Sequence, residues 1–163
     1  MGKPGIAVFA FGVPYNINSN KLIAEIASRK AREIKAPIYT QLDIRINSEV
    51  KVEYINEIQG NPPPTLRMAR GAIHWAKFNE ITELWVCAAK PHLWRCLRDL
   101  KYAANESGIK IEIKICEMIK WYSENYWFCP DSTQEFTRSR ENWQLREKIL
   151  QRMPIFLYKF IAS

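Results

Sequence analysis

Lys90-Pro91-His92-Leu93-Trp94-Arg95 is the segment of this chain whose residue types and spacing best suit chemistry. The apolar run Leu84-Trp85-Val86-Cys87-Ala88-Ala89 before it predicts a buried strand, and the pattern from Pro91 onward predicts a helix. Lys90, His92 and Arg95 therefore fall just before or within a helix start, where the macrodipole disfavours cations by roughly 0.3–1 kcal/mol each. A bound anion would reverse that penalty, because free backbone N–H groups, Lys90, Arg95 and a protonated or donating His92 would all face it. His92 and Arg95 are three apart and share a helix face. In this reading Lys90 and Arg95 pair with the anion, and His92 donates a hydrogen bond or acts as a general acid/base. Singly, each residue is equally explained by a solvated cation or by a histidine bonded to a neighbour; the combination at the end of a buried strand is what points to a site.

Ligands of open parallel sheets bind beyond the carboxyl ends of the strands, where strand order reverses. If the first strand is central with the fourth beside it, the loop from Gly12 to Asn20 faces Lys90–Arg95. Gly12 then offers close backbone approach to a ligand. Asp43, at the end of the second strand, could accept a ribose hydroxyl or cap a turn. Thr65 could contact the ligand, although its position suits a helix cap better. No G-x-G-x-x-G follows Gly12, since Pro14, Tyr15 and Ile17 stand there, and there is no G-x-S-x-G elbow. The other histidine, His74, sits mid-helix off the apolar stripe, and the histidine and cysteine spacings suit no metal.

These candidates must be positioned by a repeating strand and helix pattern. Ile6 to Phe11 is continuously apolar and ends at Gly12, as expected of a strand buried on both faces. A helix follows, capped by Asn18 or Ser19, with Leu22, Ile23, Ile26, Ala27 and Ile34 on its apolar stripe and Pro37 barring continuation past Ala36. Ile38 to Ile44 and Val50 to Ile58 predict two further strands. A second helix runs from about Leu66 to Phe78, and a third, closed by Gly108, buries Leu93, Leu97, Leu100 and Ala104. Ile109 to Ile115 alternates with period two, which predicts an edge strand. Ser132 and Glu135 form a capping box for a last helix running through Trp143 to about Met153. The expected architecture is a single α/β, three-layer Rossmann-like domain over residues 1–163, with a mainly parallel five-stranded sheet flanked by helices and residues 119–163 packing on it as an aromatic segment and helix.

The chain has 163 residues, 47% of them hydrophobic and 25% charged, which excludes a disordered or collagen-like chain. Its 24 Lys and Arg against 17 Asp and Glu give a net charge of +7. That excess admits nucleic acid, anionic surfaces or phosphorylated ligands as partners and selects none. The run Ile6–Phe11 is too short to span a membrane or to serve as a leader, so a soluble, cytoplasmic protein with no membrane partner is expected. Cys87, Cys96, Cys116 and Cys129 show no metal or redox spacing and read as reduced and structural. Arg138, Arg140, Arg146, Lys148 and Arg152 interleave with Glu135, Glu141 and Glu147 and read as a solvated face laced with ion pairs. Trp121 to Phe128 is expected to pack the edge of the sheet or a subunit contact, and the apolar tail Pro154–Ile161 to dock on the core or on a partner subunit.

Several short segments resemble the SanA/YdcF/ElyC-like family of domains of unknown function. They are the strand Ile6 to Gly12, Thr65-Leu66-Arg67-Met68-Ala69 opening a helix, Pro91-His92-Leu93-Trp94-Arg95 after a strand, and Arg146-Glu147 in the last helix. Their order and spacing are similar from about Ile6 to Leu150. The Ser-Gly-Gly of that family is absent, Thr40-Gln41-Leu42-Asp43 standing in its place, and its helix-opening Asn, Glu and Asn are Pro64, Arg67 and Met68 here. The resemblance implies a three-layer Rossmann-like domain with S-adenosylmethionine or a nucleotide as a cofactor, and no settled reaction.

The expected function is binding, and where a reaction occurs processing, of a small anionic ligand: a nucleotide, S-adenosylmethionine or a phosphorylated metabolite. Gly12, Thr65, Lys90, Arg95 and Asp43 are the expected ligand contacts and His92 the candidate acid/base. Two other classes stand beside it. A single-stranded nucleic-acid binder would use the spread basic charge and the aromatics from Trp121 to Phe128. A non-catalytic scaffold would form a homo-oligomer through the C-terminal tail.

Overall fold

The computed structural model describes residues 2–58 and 60–163. Five strands form one all-parallel sheet: β1 (Pro4–Val8), β2 (Ile38–Thr40), β3 (Val52–Tyr54), β4 (Glu83–Cys87) and β5 (Glu112–Ile115), in the order β3-β2-β1-β4-β5. Five helices accompany it: α1 (Asn18–Ile34), α2 (Thr65–Phe78), α3 (Lys90–Glu106), α4 (Arg140–Arg152) and α5 (Ile155–Ala162). The domain is α/β and Rossmann-like in three layers, with β1 central and β4 beside it. The strand order reverses between those two.

Alternation along the central strands divides the core into two clusters, as successive side chains must face opposite sides of a sheet. Ile6, Val8 and Ile38 pack against α1, whereas Ala7, Phe9, Tyr39, Leu84 and Val86 pack against α2 and α3. All four cysteines are free and buried. No helix among the described residues is long and apolar enough to cross a membrane.

The strands are shorter than their apolar runs because side chains take over the hydrogen bonds at the carboxyl edge. Thr40 Oγ1 donates to the Val8 carbonyl at 2.9 Å, and the Ala10 N–H donates to Gln41 Oε1 at 3.0 Å. The expected caps are corrected on the same grounds. Helix α1 has Ile17 at its N-cap, while Ser19 and Asn20 turn back to clamp the loop after β1: Ser19 donates to the Phe11 carbonyl, and Asn20 bonds the Phe11 N–H and the Gly12 and Pro14 carbonyls. Helix α4 begins at Arg140 with Ser139, not Ser132, accepting from the Asn142 N–H. Ser132 instead accepts from the Val13 N–H and from Thr137 Oγ1, fastening residues 132–137 onto the β1 loop.

Segment 117–128 forms short 3-10 turns, and Trp127 is buried in the α1-side core. Of the tail, Tyr158 and Ala162 dock in a small cluster with Leu66 and Leu150, while its other apolar side chains remain exposed.

Candidate functional site

A cavity of about 210 Å³ opens at the β1/β4 switch point. Its floor is Phe9 to Gly12 at the end of β1. One wall is Pro62–Thr65 and the start of α2, another is His92 and Arg95 of α3, and the last comes from α4 and α5. Of the expected contacts, Gly12, Thr65, His92 and Arg95 meet here, and Lys90 and Asp43 do not.

Lys90 is exposed as the first residue of α3, outside the lining. The helix start itself offers few free donors: Pro91 has no N–H, and that of His92 is spent on the Ala89 carbonyl at 2.9 Å. Gly12 has φ +89°, and a Cβ there would lie 2.7–2.8 Å from Ser132 Oγ, Ile17 Cδ1 and Thr137 Oγ1. The glycine is therefore required by the packing of the C-terminal segment rather than by close approach of a ligand.

Of the expected inner stripe of α3, Leu100 and Ala104 are buried and Leu93 and Leu97 are half-buried against the same cluster. The buried face also takes in His92, Arg95, Cys96, Asp99 and Ala103. Three polar side chains thus sit on the inner stripe, and each is held by another element. Arg95 Nε donates to both Glu147 oxygens at 3.1 and 3.2 Å, and its Nη1 donates to Thr65 Oγ1 at 2.8 Å. Burial opposes the Arg95 charge, and Glu147, Tyr158 and Cys96 together more than offset this, so its pKa is raised. Asp99 accepts from the Tyr158 hydroxyl of α5 and from Arg98. Desolvation raises the Asp99 pKa against these donors. Thr65, with Pro64 at the N-cap of α2, caps nothing and instead bridges Arg95 to His92.

His92 is enclosed by Phe9, Phe11 and Trp143, whose ring centroids lie 5.4–6.4 Å from its own. Nε2 lies 3.0 Å from Thr65 Oγ1. Because Thr65 already accepts from Arg95, its own proton is free to donate to Nε2, which places the imidazole hydrogen on Nδ1. Nδ1 is buried and makes no hydrogen bond of full geometry, although the Ala10 carbonyl acts on the ring as a backbone acceptor. Desolvation, then the charges of Arg95 and Arg146, hold the His92 pKa well below its usual value, so the ring is neutral. The unfolded chain takes up a proton near pH 6.5 that the folded ring refuses, so stability from this group falls as pH drops below that point.

Two decisive side chains come from α4, where Trp143, Arg146, Glu147 and Leu150 form the inward stripe at i, i+3, i+4 and i+7. Arg146 and Glu147 are thus not part of a solvated, ion-paired face. Glu147 neutralises Arg95, and Arg146 has no carboxylate partner among the described residues. The Arg146 guanidinium lies 4.1 Å over the Phe136 ring with Nη1 buried and unpartnered. Burial and then the charge of Arg95 lower its pKa. No Asp or Glu lines the cavity. Spacing carried the signal: charged residues on the apolar stripe of an otherwise solvated helix.

Asp43 lies beside Glu57 at the ends of β2 and β3, each with one buried, unpartnered carboxylate oxygen. Desolvation raises the Asp43 pKa despite bonds from Gly60 and Gln41. Burial lifts Glu57 to about 7, against the Leu42 N–H it accepts and with the Asp43 charge adding. The folded protein therefore keeps a proton that an unfolded Glu57 loses from pH 4.5 upward, and stability falls as pH rises from there through about 7. Glu57→Gln, which keeps the bond to Leu42 and removes the charge, is expected to match the wild type at acid pH and to exceed it by about 1–2 kcal/mol in urea unfolding above pH 7. Equal stabilities on both sides of that window would refute this assignment. Among the described residues, no group of three His, Cys, Asp or Glu side chains gathers to hold a metal ion.

No family model matches the chain, and no curated protein is significantly similar to it.

Proposed function

We propose that this chain binds a small, compact anion, a phosphorylated metabolite in the first instance, in the cavity between β1 and α3, with Arg146 as its principal contact. The observation that carries the proposal is the buried, unpartnered Nη1 of Arg146 in a cavity without a carboxylate. Leaving a buried donor of a charged group unpaired is costly, and a fork of N–H donors held over the Phe136 ring suits a phosphate or carboxylate. His92 supports the reading, since Nδ1–H is a second donor that makes no full hydrogen bond, the Ala10 carbonyl being only a weak acceptor for the ring. Arg95 serves by position: paired with Glu147, it orients Thr65 and through it the imidazole. Any proton transfer would pass through Nδ1 of His92, which is neutral at rest.

The size of the cavity selects within the ligand class. Pockets for drug-sized ligands measure roughly 300–1,000 Å³, and this one measures about 210 Å³. Size and charge both argue against S-adenosylmethionine, which is larger and whose net positive charge finds no carboxylate lining the cavity to balance it. We place the chain as a divergent SanA/YdcF/ElyC-like protein on the same residues, because Thr65, His92, Arg95 and the pair Arg146-Glu147 all converge here. The four buried thiols support a reducing, cytoplasmic setting.

A thermal-shift screen with inorganic phosphate and small phosphorylated metabolites tests the proposal. The wild type and Lys90→Gln, which alters a cation outside the cavity, are expected to be stabilised, and Arg146→Gln is not. Shifts that are absent, or equal in wild type and Arg146→Gln, would overturn it.

A further inference from the structure

The C-terminal helices carry an apolar surface that the cavity does not use. Helix α5 docks through Tyr158 and Ala162. Phe160 is two residues from each of them, about 200° around the axis, and is 89% exposed. Phe156, one turn before it, is 69% exposed, and Leu145 and Ile149 are exposed one turn apart on α4. The outward face of a surface helix is ordinarily polar. Here it is aromatic and aliphatic, and residues 148–163 contain Lys148, Arg152 and Lys159 and no Asp or Glu; the acidic residue on the exposed row of Leu145 and Ile149 is Glu141, one turn earlier.

We propose that this face docks on an anionic membrane surface, with Phe156 and Phe160 entering the interface and Lys148 and Arg152 meeting lipid headgroups. Charge complementarity argues for this occupant over a second copy of the chain. A two-fold contact offers the patch only its own residues, and residues 148–163 supply no carboxylate to meet these cations, whereas anionic lipid attracts them and apolar side chains enter beneath. The sequence led to an expectation of no membrane partner because the chain lacks a run long enough to span one; an interfacial helix requires no such run.

Co-sedimentation with phosphatidylcholine vesicles, with and without phosphatidylserine, tests the inference on the full chain. The wild type is expected to pellet with the phosphatidylserine vesicles. Phe156→Ser/Phe160→Ser should weaken this by roughly tenfold per ring. Lys148→Gln/Arg152→Gln, at two exposed positions whose replacement leaves the core untouched, should weaken it by about fivefold per charge. Circular dichroism and light scattering of each variant establish its fold and mass. Absent binding, equal binding to both vesicle types, unchanged binding by the charge variant, or a dimer that the phenylalanine variant dissociates without any vesicle binding would each overturn the inference.

Discussion

Glu147→Ala is expected to lower the free energy of unfolding by about 3–5 kcal/mol, measured by urea denaturation at neutral pH. Arg95 and Glu147 are 4% and 6% exposed, so neither regains water when its partner is removed. The mutant would hold the Arg95 guanidinium beside Arg146 with no counter-charge, and Thr65 would remain as its side-chain acceptor in the cavity wall. The pair itself need contribute little net stability, because desolvating two charges offsets most of their attraction. Adding Arg95→Met to Glu147→Ala should therefore restore much of the loss. A single-mutant loss below about 1 kcal/mol, the level of exposed pairs, would show that α4 is not docked through this contact.

Arg146→Met is expected to act in the opposite direction without ligand. It removes a half-buried cation whose Nη1 is buried without a partner and which Arg95 repels, while a methionine can still cover Phe136, so the apo protein should gain about 1–2 kcal/mol. The same variant should lose stabilisation by ligand. For the wild type, ligand at a hundred times its dissociation constant adds about 2.7 kcal/mol, and Arg146→Met should show none of it. Arg146→Lys keeps a charge but loses the planar fork, and should bind at least tenfold more weakly. Together these outcomes separate a binding residue, held against stability, from a structural one. Destabilisation of the apo protein with ligand response intact would contradict the assignment.

The frame of the fold was legible in the sequence because the strands of a doubly covered sheet announce themselves as apolar runs, Ile6–Phe11 and Leu84–Ala89 above all. Their ends were less legible. Thr40 and Gln41 fall inside the strand expected over Ile38 to Ile44 but spend their polar side chains on β1 and the residues after it, which no periodicity reveals. The His92 and Arg95 end of the site was readable from cations at a helix start, yet the reason proved different. Arg95 is turned into the core and neutralised by Glu147, fifty-two residues away in the chain. Lys90, one residue outside the stripe, points to solvent. Arg146 was hidden because a helix rich in both signs of charge resembles a solvated face, and only its register with Trp143 and Leu150 places it inside.

An anion bound in this cavity reaches Arg146 and His92 together, and the imidazole signals of His92 report on that most directly. His74 is exposed on α2 and is the only other histidine, so His74→Gln leaves a single ring to observe. Nitrogen-15 NMR of this protein near neutral pH should show a neutral imidazole protonated on Nδ1. Titration with inorganic phosphate should shift the Nδ1 resonance saturably, and Arg146→Met should abolish the shift. An Nδ1 signal that stays fixed at high phosphate, or moves equally without Arg146, would contradict the central claim.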